Sequence, residues 1–192
     1  MPMRNADTNR WFIAATVVTA GTLVALVLRF GIGPQLPAFW YLAAVGVPLA
    51  FIDARDRRLP NVLTLPSYPA AFLLLGAAAA VVPGGPSRLV HAVIGMAAAV
   101  LFFAVLLLLS PSGLGLGDAK LAGVLGAYLG WLGFAALAAG LLAGWLLAAA
   151  AALGLVAAGR AGRGTQIPLG PFLIAGALAV VLASRFLPAL AR

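Results

Sequence analysis

Long apolar runs dominate this chain, and they recur at the spacing of membrane crossings. They lie at about residues 12–30, 38–52, 66–82, 89–110, 119–133, 134–158 and 169–187, separated by short segments rich in Pro, Gly and charge. A helix needs about 20 residues to cross hydrocarbon, so the pattern predicts an all-α polytopic integral membrane protein of about seven transmembrane helices. The boundary near Gly133 is the least marked, because nothing charged stands between Lys120 and Arg160. That stretch is too long for one helix across a ~30 Å core and suits two short ones. The first run ends in Arg29-Phe30 and lacks a small-x-small cleavage site, so it reads as a retained span, not a removable signal.

Composition narrows the chemistry. The chain is 64% hydrophobic and 8% charged, with 23 glycines, no cysteine and one histidine, His91. A soluble domain is about half apolar and a quarter charged, so one compact membrane domain is the architecture that fits. Without cysteine, and with a single imidazole, no zinc cluster, C-x-x-C redox pair or Fe–S site can be assembled. A zinc protease of the H-E-x-x-H type is likewise impossible, and no phosphate-binding G-x-x-x-x-G-K-[ST] loop is present.

The net charge of +8 comes from 12 basic residues scattered singly among apolar runs, which makes no nucleic-acid face. Membrane topology explains it better. With the N-terminus cytoplasmic, the inner segments hold Arg4, Arg10, Arg55, Arg57, Arg58, Lys120, Arg160 and Arg163, against Arg29, Arg88, Arg185 and Arg192 outside. That imbalance predicts an N-terminus inside and a C-terminus outside. Small residues recur at helical spacing, as in Gly126 to Gly130 and Gly140 to Gly144, and predict close helix packing. Trp11, Trp40, Tyr41 and Tyr68 stand near span ends and read as headgroup-level anchors.

The four carboxylates are Asp7, Asp53, Asp56 and Asp118, with no glutamate. Asp53 closes the second span, and Asp118 opens the fifth behind Gly113, Gly115 and Gly117. In the predicted topology both occupy the cytoplasmic face. An ionisable residue at the membrane boundary is costly unless paired, solvated or used. Two neighbouring carboxylates cannot both ionise easily, so one keeps a proton while the other acts as a base, an arrangement able to activate water against a peptide carbonyl. The glycines before Asp118 permit close approach of an extended substrate. Each aspartate alone also reads as an interfacial cap or loop charge.

The segments Asp53-Ala-Arg-Asp-Arg-Arg-Leu-Pro-Asn61, Gly115-Leu-Gly-Asp-Ala-Lys-Leu121 and Ile167-Pro-Leu-Gly-Pro-Phe-Leu173 occur in that order. Together they resemble the type IV prepilin peptidases, the GxGD class of intramembrane aspartyl proteases. The resemblance runs from about Ala38 to Ala175. It implies that Asp53 and Asp118 are the catalytic aspartates, and that Pro60, Gly115, Gly117, Lys120, Pro168, Gly170 and Pro171 wall the site. It implies a prepilin or pseudopilin substrate cut at the cytoplasmic face, with no cofactor and no metal. It divides the chain into residues 1–37, a tail with an extra span and short outer loop, and residues 38–192, a six-helix membrane domain. Many bacterial members carry a cysteine-containing cytoplasmic insertion and N-methylate the new pilin terminus. Here there is no cysteine, so the resemblance supports the peptidase and leaves methyl transfer in doubt.

Asp56 reads as a solvated loop charge among arginines. Lys120, two positions after Asp118, is predicted to point away from it and snorkel to the interface. Arg55, Arg57 and Arg58 set topology, with a role in docking substrate as a hypothesis. A serine dyad of His91 and Ser112 fails, because 21 residues of helix separate the two by ~30 Å. The alternative from another class is a proton-coupled transporter or channel using the same two aspartates. Both acids at one face, not at midplane, argue against it. The expected partners are a prepilin-like substrate and membrane lipid, not nucleic acid, with homo-oligomerisation left open.

Overall fold

The computed structural model describes residues 5–109, 115–160, 162, 167–184 and 186. Among them the chain forms α1 (Asn5–Phe30), α2 (Leu36–Asp56), α3 (Asn61–Thr64), α4 (Ser67–Ala79), α5 (Gly85–Leu109), α6 (Leu116–Leu132), α7 (Phe134–Ala157) and α8 (Gly170–Ala183). The short α3 leads into α4, and the two together make one apolar unit, Asn61–Ala79. The protein is therefore all-α and polytopic. Five units are long and apolar enough to cross a membrane: α1, α2, α3–α4, α5 and α7. Helices α6 and α8 have 17 and 14 residues and supply the remaining two of the expected seven.

The ends of these helices follow local chemistry. Gly133 adopts φ 133°, which terminates α6 and starts α7 at the sequence's least marked boundary. Helix α1 begins at Asn5, earlier than the apolar run, so polar residues expected in a tail extend the span. Extending an existing helix adds one hydrogen bond for each residue fixed, which favours such growth.

Helix α6 is the centre of the bundle. Every residue from Leu121 to Leu132 is buried, with α5, α7, α8 and α4 around it. Its closest approach is to α5, and glycine makes it possible. A Cβ added at Gly126 would stand 2.5 Å from the Gly95 carbonyl oxygen, and one at Gly95 would stand 2.9 Å from Gly130 Cα. Backbones meet where side chains would otherwise hold them apart, the contact that drives helix association in lipid. The same device joins α7 to α8, where a Cβ on Gly176 would fall 2.8 Å from the Gly140 carbonyl oxygen. The small-residue spacing thus produces the packing it predicted.

Helix α1 is the least buried span and packs mainly on α2. Phe30 stacks on Phe39 at 4.5 Å, and Phe39 in turn meets Tyr128 of α6 at 5.6 Å. Two of the aromatic residues expected as headgroup anchors instead tie helices together. Tyr68 donates its hydroxyl to the Lys120 carbonyl at 2.7 Å, and the Tyr41 hydroxyl lies 3.4 Å from Ser67 Oγ. Hydrocarbon offers these two hydroxyls no partner, and each meets one on a neighbouring helix.

Gly126→Val should lower the thermal unfolding midpoint in detergent through overpacking, at a cost of ~1–3 kcal/mol or more. Gly76→Ala, with nothing within 4 Å of its added Cβ, should leave the midpoint unchanged or raise it slightly. Circular dichroism melts of both variants check the contrast.

Candidate active site

Asp53 lies in the last turn of α2 and is 5% exposed. Its Oδ2 accepts a hydrogen bond from the Gly170 N–H at 3.1 Å. Gly170 is the first residue of α8, so its N–H has no partner inside the helix and is available to a carboxylate. Glycine is also required there for space. An added Cβ would stand 2.6 Å from Asp53 Oδ2. Pro171 follows within the first turn, where its missing N–H costs no helical hydrogen bond.

Asp118 stands at the third position of α6 and is half-buried. Its Oδ2 accepts the Gly115 N–H at 3.1 Å, while its own N–H donates to the Gly115 carbonyl at 3.0 Å. This reciprocal pair fixes the carboxylate against the helix start. Leu59 packs beside it: a Cβ on Gly117 would lie 3.2 Å from Leu59 Cβ. The loop after α2 therefore rests directly on the Gly-x-Gly-Asp turn.

Both aspartates line one cleft of about 550 Å³. Pro60, Gly115, Gly117 and Lys120 line the same cleft, together with Arg57, Arg58, Leu59, Asn61 and Leu116. Gly170 supports Asp53 through its N–H without lining the cleft, and Pro168 and Pro171 do not line it either. Lys120, expected to point away from Asp118 and, by the resemblance, to wall the site, lines the cleft. Its Nζ donates to Asn61 Oδ1 at 3.0 Å, spanning from α6 to the start of α3. Spacing along a helix gives direction relative to Asp118 alone, whereas the cleft wraps the first turn of α6 on more than one side.

The remaining candidates lie elsewhere. Asp56 pairs with Arg55 at 3.6 Å, outside the cleft. The His91 ring packs tilted against Phe134 at 4.8 Å, and its carbonyl oxygen would lie under a Cβ on Gly130, near the far end of α6 from Asp118. Ser112 and Gly113 lie outside the described residues. A larger cavity of about 630 Å³ between α1 and α2 has no facing pair of carboxylates, so the chemistry converges on the smaller one. Among the described residues, no cluster of three or more metal-ligating side chains occurs. Two contacts were missed from sequence, the Gly170 donor and the Tyr68 tie to Lys120, since each joins positions far apart in the chain.

The profile of the type IV leader peptidase family matches residues 40–183. The chain belongs to that family. Relatives named prepilin leader peptidase/N-methyltransferase include one from Aeromonas hydrophila, 38% identical over 120 residues, which covers 60% of this chain and 39% of the relative. Another, from Aeromonas salmonicida (strain A449), is 40% identical over 116 residues, covering 58% of this chain and 33% of the relative. The matched part thus spans well under half the length of these leader peptidases. No solved structure matches the chain.

Within this member of the family, Arg57 caps α2 at φ 51° and is the single non-glycine residue with positive φ among those described. Its N–H donates to the Asp53 carbonyl at 2.8 Å. A side chain in the left-handed region costs of order 1 kcal/mol, more when β-branched. Arg57→Gly should hold or raise the unfolding midpoint and Arg57→Val should lower it, as read by thermal melts of the two variants in parallel.

Proposed function

We propose that this protein is an intramembrane aspartyl endopeptidase that removes the leader peptide of type IV prepilin or prepilin-like proteins. The observation that carries the reading is the meeting of Asp53 and Asp118 in one cleft, within a chain of the type IV leader peptidase family. The relatives' printed names supply the substrate class. Only the peptidase half of those names is carried over. The sequence contains no cysteine, and the resemblance ties methyl transfer to members with a cysteine-containing insertion.

In this mechanism the two carboxylates hold one proton between them. The ionised member takes a proton from water as the water oxygen bonds to the scissile carbonyl carbon, and the protonated member gives its proton to the carbonyl oxygen. As the tetrahedral diol collapses and the C–N bond breaks, the carboxyl that took the water's proton gives it to the amine nitrogen while the other carboxylate takes a proton from a diol hydroxyl, which restores the starting state of the pair. The groups around the cleft suit an extended substrate: Gly115 puts no side chain beside the Asp118 carboxylate, Gly117 makes room for Leu59, and Gly170 orients Asp53. No metal or organic cofactor takes part in these steps.

The cleavage face is read as cytoplasmic, with the N-terminus inside. The charge count along the sequence supports this orientation, and Arg55, Arg57, Arg58 and Lys120 accompany the aspartates at their end of the bundle. The division at residues 37 and 38 is supported by the family match, which begins at residue 40. Helix α1 is then an addition to a six-span peptidase unit. A transporter reading finds less support, since both acids sit at helix ends on one face.

Coexpression with a candidate prepilin should give a shortened product detectable by mass spectrometry. Asp53→Asn and Asp118→Asn should each reduce that product by at least ~100-fold while the protein remains inserted. Cleavage near the unmodified rate by either single variant would contradict a shared dyad. Gly170→Ala should accumulate in membranes at the normal level yet cleave roughly 10- to 100-fold more slowly, because its methyl group displaces the Asp53 carboxylate. Unchanged initial rates for that variant would remove Gly170 from the site.

A further inference from the structure

A small cavity lies inside the bundle where α2, α3–α4 and α6 meet. Its polar lining consists of four hydroxyl side chains, Tyr41 of α2, Thr64 of α3, Ser67 of α4 and Tyr128 of α6, and the rest is apolar. Leu49 and Leu121 also line it, each one helical turn along the chain from Asp53 and Asp118 respectively. About 10 Å³ is open to the centre of a water-sized sphere. One water molecule therefore fits, and an organic ligand does not.

The lining hydroxyls leave one donor and several acceptors over. Tyr128 is fully buried, and its hydroxyl has no hydrogen-bond partner among the described residues. An O–H withdrawn from bulk water without a partner carries the full desolvation penalty, and buried hydroxyls in native proteins are bonded to protein or to ordered water. Thr64 and Ser67 are buried as well, and they donate to the Pro60 and Leu63 carbonyls at 3.0 and 2.7 Å. Each has spent its one proton and keeps lone pairs. Because the Ser67 proton is engaged, the Tyr41 hydroxyl is the donor in their 3.4 Å contact, and its own oxygen is open to accept.

A water molecule matches this set. Its oxygen accepts the Tyr128 proton, and its two protons go to lone pairs on the facing oxygens. An ion does not match, because no charged side chain lines the cavity to compensate it.

We propose that this cavity is the binding site of one structural water, which accepts the Tyr128 O–H and donates to two of Tyr41, Thr64 and Ser67. A buried water typically makes about three hydrogen bonds, the number this arrangement supplies. The water links the three helical units that carry the aspartate cleft: α2 with Asp53, α3–α4 with Asn61 and α6 with Asp118. Tyr41 and Tyr68 already tie α4 to its neighbours directly, and the water brings Tyr128 into that set of contacts. The site does not depend on the peptidase reading.

A crystal structure of the full-length protein, at a resolution that shows ordered water, tests the site. One density peak should stand within ~3.2 Å of the Tyr128 hydroxyl oxygen and of two of the other three oxygens. Crystals of Tyr128→Phe should lose that peak. An empty cavity in the unmodified protein overturns the proposal, as does a Tyr128 hydroxyl bonded to a protein group. Thermal melts in detergent give a second readout through the sign of the change. Deleting a hydroxyl that has no partner relieves a penalty and raises the midpoint, whereas deleting one that bonds a buried water loses that bond and lowers it. Tyr128→Phe should therefore melt below the unmodified protein, and an unchanged or raised midpoint overturns the proposal. Should the variant fold poorly, the structure of the unmodified protein decides alone.

Discussion

A carboxylate at the edge of hydrocarbon persists only where a donor or water meets its oxygens. For Asp53 that donor is the Gly170 N–H, and much of the architecture follows from their contact. It sets where α8 must begin and how closely its first turn must approach α2. Glycine satisfies both demands, offering an unpaired N–H and no Cβ. Once α2 ends at this point, the left-handed turn at Arg57 sends the chain back across the bundle. Leu59 then reaches Gly117, and the first turn of α6 is drawn to the same face.

The second carboxylate is held differently. Asp118 is fixed by its own helix start, and the depth of that helix is fixed by the glycine contacts with α5 and by the Tyr68 hydroxyl on the Lys120 carbonyl. The two acids thus rest on separate supports, one at a helix end and one at a helix beginning. The cleft lies where those supports face each other, bridged at its edge by Lys120 and Asn61. Such an arrangement leaves room for an extended chain between the aspartates without removing the packing that positions either.

Most of the fold was legible because a bilayer forces a simple correspondence between apolar length and helix number. Even the break at Gly133 emerged from length alone, and its positive φ supplies the mechanism. Helix α8 is shorter than its apolar run at 169–187 suggested, because it ends at Ala183 with Ser184 as its C-cap. For the site, local motifs marked Asp53, Asp118 and the glycines. They did not reveal the Gly170 donor, 117 residues from Asp53, or the turn of Lys120 toward Asn61, 59 residues away. Hydropathy records how deep a residue lies, and says nothing of which distant segment it faces. Tyr68 is the clearest case, since its place near a span end suggested lipid headgroups while its hydroxyl serves another helix.

The long separation between Asp53 and its backbone donor bears on how the molecule is made. Spans enter the membrane in the order of synthesis, so α2, with its aspartate, is inserted well before α8 exists. Throughout that interval the carboxylate has only water or lipid headgroups to meet it. The cleft acquires its finished geometry when α8 docks, and a nascent chain lacking that helix carries both acids without the arrangement that aligns them. The timing of assembly itself keeps the two carboxylates from their final arrangement until the bundle is closed.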